Sequence, residues 1–285
     1  MAERVTVVGG GVVGTATARA LDGAGHRVRI IETSPGRRAE LARLGLLVEP
    51  APDATIAGSI VLLCVETPAD EGGFDLGALR LAAEQVGRAL EGAGSGTIVV
   101  VRSTVPVGTT TGLVAAALEQ ASGRRCGQGF VVASAPEFLR AATATQDASA
   151  PWMTVLGCAD RGALDRLAAT LGGFGGDLRL FADPAVAEAI KLVHNALNAT
   201  KISFFNEAFA ICAAAGVDGD AVAEVVVRSA EAATNPEYGT KGGRAFGGAC
   251  LPKDLDGMIA MASQGRVPTP LLEAVRAVNR GLAPG

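Results

Sequence analysis

Arg4-Val5-Thr6-Val7-Val8-Gly9-Gly10-Gly11-Val12-Val13-Gly14 stands at the start of the chain, and its reading decides the fold. A β-branched run feeds glycines at G-x-G-x-x-G spacing, and an Ala-rich helical pattern then continues to about Ala24. A strand, glycine turn and helix in that order let a pyrophosphate come close to backbone, where unpaired amides and the positive end of the helix dipole meet it. A second strand, His26 to Ile31, ends in Glu32. A carboxylate at that distance from the glycines can hold a ribose diol and repel a 2′-phosphate, which favours NAD over NADP. Arg37 and Arg38 weaken the preference, although helical spacing points both toward solvent. Gly9, Gly11, Val12, Val13, Gly14 and Glu32 are thus the first cofactor-binding candidates.

Working outward, strands and helices alternate. The pattern predicts a helix from about Arg37 to Leu44, a strand within Ser59 to Val65, a helix from Leu76 to Leu90 and a strand from Thr97 to Val101. Alternation of this kind predicts an α/β fold: a Rossmann-like, mostly parallel, doubly wound sheet with right-handed crossovers. Ligands then gather at the carboxyl ends of the strands. Three such ends carry loops rich in chemistry: Cys64-Val65-Glu66-Thr67-Pro68, Arg102-Ser103-Thr104-Val105-Pro106-Val107-Gly108-Thr109-Thr110, and Ser134-Ala135-Pro136-Glu137-Phe138-Leu139-Arg140. Proline and hydroxyl residues there can simply turn the chain and cap the next helix, and for Pro68 and Thr109 both readings stand. Glu137 is different, because a carboxylate between Pro and Phe at a strand end makes a poor core residue and a good general base.

After a further α/β stretch, Trp152 to Phe181, the texture changes at Asp183-Pro184. This divides the chain into an NAD-binding domain, 1–183, and a helical domain, 184–285. One long helical pattern without glycine or proline runs from Ala185 to Ala215 and carries Glu188, Lys191, Asn195, Lys201 and Glu207. Lys191 and Asn195 share one face of it. They are either a solvated edge or a pair of donors aimed at an oxyanion. A helix from Asp218 to Ser229, a polar loop through Tyr238 and Lys241, and a last helix from Pro270 to Leu282 complete the pattern.

Between the last two lies Gly247-Gly248-Ala249-Cys250-Leu251-Pro252-Lys253-Asp254, ahead of a helix predicted from Leu255 to Ala262. Cys250 then sits at or beside a helix N-terminus, with Pro252 at an early position where its missing N–H costs nothing. Amide donors, the helix dipole and Lys253 favour thiolate over thiol there. The bland alternative is a buried, inert cysteine.

Composition removes several classes of function. A net charge of −4 over 285 residues argues against a nucleic-acid surface, and no apolar run reaches the length of a membrane span. The chain has 5 cysteines, without metal-ligand spacing; the odd count fits a reducing compartment, and the N-terminus lacks a basic segment with a cleavage site, so a cytoplasmic location is expected. With only 2 histidines, a Ser/His/Asp triad or a His-based zinc site is nearly excluded, and no metal is expected.

Taken in order, these residues resemble the UDP-glucose and GDP-mannose 6-dehydrogenases. The match runs from the glycine loop with Glu32 through Glu49-Pro50, Glu66-Thr67-Pro68, the Ser103 to Thr110 loop, Pro136-Glu137-Phe138-Leu139-Arg140, Lys191-x-x-x-Asn195 and Lys201-Ile202-x-Phe204-x-Asn206-Glu207 to Phe246-Gly247-Gly248-Ala249-Cys250-Leu251-Pro252-Lys253-Asp254. The last wording leans toward the GDP-mannose type. The resemblance implies oxidation of a primary alcohol of a small molecule, sugar or sugar-nucleotide in character, to a carboxylate by NAD, through an aldehyde held on Cys250. It assigns oxyanion stabilisation to Lys191 and Asn195, and water activation to Asp254 with Glu137 and Thr104. It adds Val65, Thr67, Pro68, Ser103, Thr104 and Lys253 to the cofactor contacts. Glu137, Phe138, Leu139, Arg140, Lys191, Asn195, Gly247 and Cys250 become the substrate contacts. It also implies a homodimer formed through the linking helix, whose counterpart here carries Leu271, Leu272, Val275 and Val278, a stripe that can instead close the chain's own core.

The departures carry expectations too. Position 141 is Ala where the family usually has an acidic residue, and the segment between Pro50 and Ser59 is short, so a helix and a strand are expected to be missing. The chain stops just past Leu282, where the family continues into a third, nucleotide-binding domain. On that ground the expected substrate is a primary alcohol recognised mainly near the reacting carbon. Two other readings remain open: a two-electron β-hydroxyacid-type dehydrogenase, which needs no cysteine, and a catalytically silent NAD-binding partner.

Overall fold

Apolar β-branched runs make the strands of the first half. The computed structural model describes residues 2–70, 72–229, 235, 238, 243, 245–247 and 250–282. It divides into two compact units, 1–194 and 195–285. In the first, strands β1 (Arg4–Val8), β2 (Arg27–Ile31), β3 (Val48–Glu49), β4 (Ile60–Leu63), β7 (Thr97–Val101), β8 (Phe130–Ser134), β9 (Met153–Gly157) and β10 (Asp177–Phe181) form one sheet, while β5 (Ala69–Asp70) and β6 (Gly73–Phe74) form a small hairpin. The order is β10-β9-β8-β7-β4-β1-β2-β3, and neighbours are parallel except at β8 and β9, which meet antiparallel through Ser134 and Gly157. The chain thus winds outward from β1 in one direction and from β4 in the other. Their adjacent carboxyl ends open a crevice at the switch point.

Alternate residues of each strand face opposite sides. Val7, Ile30, Leu62 and Val100 point to one side, under α1 (Val12–Gly23), α2 (Pro35–Arg43) and α6 (Arg161–Leu171), with Leu21, Leu41 and Leu167 fully buried among them. Val8, Ile31, Leu63 and Val101 point to the other, under α3 (Gly77–Ala89) and α4 (Ala115–Ser122), against Leu79, Val86 and Leu118. A short α5 (Ala144–Ser149) packs on α1 through Ala16, Ala144 and Ala148.

Local chemistry shifts several expected boundaries. Helix α2 begins at Pro35 rather than Arg37, because Ser34 accepts the Arg37 N–H at 3.4 Å as its N-cap and proline is favoured in a first turn. Between β3 and β4 the short connection holds a single 3-10 turn, Ala54–Ile56.

The long helix α7 (Pro184–Ala214) carries the chain from the first unit into the second, which continues with α8 (Gly219–Ser229), α9 (Leu251–Gln264) and α10 (Pro270–Leu282). Helix α9 starts at Leu251, four residues earlier than the expected Leu255, since Pro252 fits its first turn and Cys250 is free to act as N-cap. Ile211, Ile259, Ala262 and Leu272 form the core of this unit with Phe204, Leu255, Met258 and Val267 around it. The stripe expected on the last helix is therefore split. Leu272 closes the chain's own core, whereas Val275 and Val278 are exposed. Lys241, Gly248 and Ala249 lie outside the described residues. No helix among the described residues is long and apolar enough to cross a membrane.

Candidate active site

The switch-point crevice is shaped by backbone. Gly9 has φ +104°, and a Cβ there would stand 2.6 Å from the Cys64 carbonyl; one on Gly14 would meet the Gly9 carbonyl at 1.9 Å. Both are glycine because the turn admits nothing larger. Gly11, the N-cap of α1, has nothing within 4 Å of its would-be Cβ and faces open space. The Glu32 carboxylate stands at the edge, accepting from the Gly10 N–H at 3.0 Å and the Ser34 N–H at 2.8 Å. Gly10, Glu32, Arg37, Val65, Glu66, Leu81 and Gln85 line a common cleft, while Val12 is exposed at the start of α1.

Arg37 does not point to solvent as its helical spacing suggests. Its Nε donates to the Gly10 carbonyl at 2.8 Å, Nη2 to Thr15 Oγ1 at 3.3 Å, and Nη1 pairs with Glu40 at 2.8 Å. Arg38 likewise turns inward, donating to the carbonyls of Glu32 at 3.0 Å and Thr33 at 2.6 Å. The Gly10 carbonyl, in the turn between β1 and α1, draws the Arg37 guanidinium back, and the carbonyls where β2 gives way to α2 draw that of Arg38.

The loops after β4 and β7 are tied together by their hydroxyls. Thr67 Oγ1 donates to the Thr104 carbonyl at 2.6 Å and Ser103 Oγ to the Val65 carbonyl at 2.5 Å. Pro68 is exposed, and its carbonyl accepts the Asp75 N–H at 2.8 Å, closing the β5–β6 hairpin. Thr109 donates to the Pro106 carbonyl at 2.7 Å.

Next to this crevice, still in the first unit, Lys191 and Glu137 meet. Lys191 Nζ lies 3.4 Å from Glu137 Oε1 and 5.3 Å from the centre of the Phe138 ring. Lys191 is buried, so it is no solvated edge, whereas Asn195 one turn on is exposed. Glu137 also accepts the Leu139 N–H at 2.5 Å. Phe138 packs edge-on against Trp152 at 5.7 Å and against His194 at 5.0 Å, and burial, followed by the neighbouring Lys191 charge, holds the His194 imidazole below its ordinary range. Arg140 turns away from this cluster and pairs with Asp147 at 2.8 Å. A carboxylate against a buried ammonium sets a proton acceptor beside a donor able to stabilise negative charge on oxygen.

Two polar residues with no role in the sequence reading tie neighbouring segments together. Glu188, one turn before Lys191 on α7, is buried and accepts from the Gly108 N–H at 2.5 Å, the Thr110 N–H at 2.8 Å and Thr110 Oγ1 at 2.5 Å. The only sequence signal for it is its place one turn from Lys191 in an apolar stretch. Arg102 donates from Nε to Thr17 Oγ1 at 3.0 Å and from Nη1 to the Ala135 carbonyl at 3.2 Å, reaching from the end of β7 to α1 and β8; burial lowers its affinity for a proton.

In the second unit, Cys250 is the exposed N-cap of α9, with φ −98° and ψ −62°, and its carbonyl accepts the Asp254 N–H at 2.9 Å. Lys253 Nζ pairs with Asp254 at 2.6 Å, both side chains being exposed. Burial raises the thiols of Cys64, to about 12, and of Cys126 and Cys158. These three are unsuited to act as nucleophiles. Cys250 is the exposed one.

Models of the UDP-glucose/GDP-mannose dehydrogenase family match the chain over residues 50–171, as the NAD binding domain, and 185–281, as the central domain. A GDP-mannose 6-dehydrogenase of Azotobacter vinelandii is 34% identical over 97% of this chain and 68% of its own length. The chain belongs to the UDP-glucose/GDP-mannose dehydrogenase family. A UDP-glucose 6-dehydrogenase of Haloferax volcanii is 33% identical over 97% of this chain and 69% of its own. Among solved structures, a ternary complex of a Pseudomonas aeruginosa GDP-mannose dehydrogenase superposes with a TM-score of 0.90 at 32% identity, covering 98% of this chain and 69% of that one. As a member of this family the chain is an NAD-dependent dehydrogenase acting on a CH–OH group. The crevice fits the dinucleotide: open space over Gly11 at the N-terminus of α1, close backbone at Gly9 and Gly14, and a carboxylate at Glu32.

Proposed function

We propose that this chain oxidises the primary alcohol of a nucleotide sugar to a carboxylate in two successive oxidations, with the aldehyde held on Cys250 between them. The observation that carries the reading is the exposed Cys250 at the N-cap of α9, inside the Gly247 to Asp254 stretch. A two-electron dehydrogenase has no use for that thiol, and the family membership gives it one. The relatives matched over 97% of this chain are named for GDP-mannose and UDP-glucose, so the reading sets aside the expectation of a nucleotide-free alcohol. GDP-mannose is the first substrate to test.

Gly9 to Gly14 and Glu32 would hold NAD, which would supply the hydride acceptor for each oxidation. Glu137 takes the alcohol proton, and the Lys191 ammonium donates to the developing alkoxide, an interaction that strengthens as charge builds on oxygen. The Cys250 thiolate adds to the aldehyde carbon, forming a C–S bond and, with one proton, a thiohemiacetal. Loss of that proton and of a hydride gives a thioester. Water, deprotonated by a carboxylate (Glu137 or Asp254), attacks the thioester carbon; the C–S bond breaks, the thiolate is restored and the acid leaves. That both units serve one reaction rests on the order of the family motifs along the chain.

The test is Cys250→Ser with GDP-mannose, following acid by mass spectrometry and NAD binding by fluorescence. Acid formation is expected to vanish while the NAD dissociation constant stays unchanged, since the glycine loop belongs to the other unit. Acid at the wild-type rate overturns the reading.

A further inference from the structure

Asn279, on α10, pairs with both peptide groups of one residue in the cysteine stretch. The Phe246 N–H donates to Asn279 Oδ1 at 2.7 Å, and Asn279 Nδ2 donates to the Phe246 carbonyl at 3.0 Å. A carboxamide used this way offers backbone what a neighbouring strand would offer, one donor and one acceptor side by side. It fixes both the position and the orientation of Phe246.

Four residues later the chain is fixed again. Cys250 is the N-cap of α9, and α9 is held to α10 by Ile259 and Ala262 packing with Leu272, and by an ion pair between Asp256 and Arg276 at 3.3 Å. Helix α10 is itself anchored, because Glu207 on α7 accepts from the Leu271 N–H at 2.6 Å and the Leu272 N–H at 3.1 Å, capping its N-terminus with both carboxylate oxygens. Phe246 and α9, which Cys250 caps, are therefore both tethered to the same helix. None of the steps derived above uses Asn279.

We infer that Asn279 is the positioning residue for the cysteine: through Phe246 it sets where the Cys250 thiol stands when the aldehyde forms. The inference rests on the reading of Cys250 as the nucleophile. Asn279 touches neither substrate nor cofactor in this scheme. Its loss releases Phe246, four residues before the thiol, and displacement of a reacting group by about 1 Å can cost roughly 100-fold in rate. The slowed step is C–S bond formation, so aldehyde made in the first oxidation escapes into water.

The experiment uses the full chain with Asn279→Ala, and with Asn279→Asp, which keeps the acceptor for the Phe246 N–H but turns an oxygen toward the Phe246 carbonyl. GDP-mannose and UDP-glucose are the probes, with hydroxylamine to trap free aldehyde. In both variants NADH formed per alcohol consumed is expected to fall from near two toward one, trapped aldehyde to appear, and acid formation to drop about tenfold or more. The NAD dissociation constant should stay within about twofold. In parallel, the rate of Cys250 alkylation by iodoacetamide, read by peptide mass spectrometry without substrate, is expected to change by about threefold or more. An unchanged NADH ratio with an unchanged alkylation rate overturns the inference. So does joint loss of NAD binding and circular dichroism in both variants, which makes Asn279 a residue of the fold alone. Cys250→Ser decides the underlying reading separately: if that variant still makes acid, the nucleophile fails, while the alkylation rate still reports whether Asn279 holds the loop.

Discussion

Lys191 Nζ stands 3.4 Å from Glu137 Oε1, with 7% of the lysine side chain and 14% of the carboxylate side chain exposed. Taking both charges out of water costs more than their attraction commonly returns, and an apolar pair of similar volume would serve the fold as well or better. Retaining the pair makes sense where its members act on a third group.

Replacing Lys191 by Met, which keeps volume and removes charge, is expected to lower kcat for GDP-mannose by about 100-fold or more if the ammonium stabilises an oxyanion. The same change leaves the Glu137 charge without its partner, so stability should fall by roughly 3–5 kcal/mol. Steady-state kinetics and urea unfolding read the two effects separately. A kcat within threefold of wild type would show that the pair serves structure only.

Glu188 gives a second prediction. It supplies the acceptor for a half-buried amide at Gly108 and a buried amide and hydroxyl at Thr110, and removing an acceptor strands buried donors at about 1–3 kcal/mol each. Glu188→Ala is expected to destabilise the chain by more than about 2 kcal/mol in urea unfolding. Because the same turn adjoins Ser103 and Thr104, kcat should fall as well. A loss of stability below about 0.5 kcal/mol would mean the turn is held by other contacts.

The sheet, the glycine loop and the long helix were legible because they are written in local pattern: β-branched runs, glycine spacing, and 3.6-residue periodicity without breakers. What stayed hidden depends on contacts between distant segments. Arg37 lies on a helical face that spacing alone assigns to solvent, yet the Gly10 carbonyl 27 positions away, which also accepts from Thr15 Oγ1, draws it back. Glu188 and Arg102 look like ordinary polar residues until the fold brings the Gly108 and Thr110 amides to one and Thr17 and the Ala135 carbonyl to the other. Lys191 could be named from the sequence, but whether it was buried could not, since burial of one helix face depends on which loop packs against it. Pro252 and Cys250 mark the N-terminus of α9 in the sequence, but the apolar pattern alone begins at Leu255, so the helix starts four residues before the pattern that predicts it.

Glu32 predicts cofactor choice. Its carboxylate, held by the Gly10 and Ser34 amides, is proposed to hold a ribose diol, and a 2′-phosphate would be repelled there. Arg37, already committed to the Gly10 carbonyl and Glu40, is poorly placed to compensate. The kcat/KM for NAD should exceed that for NADP by about tenfold or more, corresponding to at least about 1.4 kcal/mol. Glu32→Ala should narrow that ratio. Equal use of both cofactors by the wild type would show that Arg37 or Arg38 releases its carbonyl to take the phosphate.

At the opposite end of the sheet, Arg166 on α6 binds Glu3 through two contacts, 2.8 Å from Nε and 2.6 Å from Nη2, and also donates to the carbonyls of Gly58 and Gly96. The hydrogen bond from Arg166 holds the Glu3 carboxyl below its ordinary value of 4.5, against the opposing effect of burial. A carboxylate with a lower proton affinity in the folded chain than in the unfolded one stabilises the fold when ionised. Its contribution is therefore complete above the ordinary value and is lost as pH falls through the folded one. Glu3→Gln keeps the shape and removes the charge. At pH 7 it should cost about 1.5–3 kcal/mol, the range for hydrogen bonds to charged groups, and lower the melting temperature by several degrees. Melts repeated at decreasing pH should show the gap between wild type and Glu3→Gln closing below 4.5, because Glu3 becomes protonated and comes to resemble the glutamine. A gap that keeps its full size well below that pH would mean that shape, and not the Glu3 charge, is what Arg166 reads.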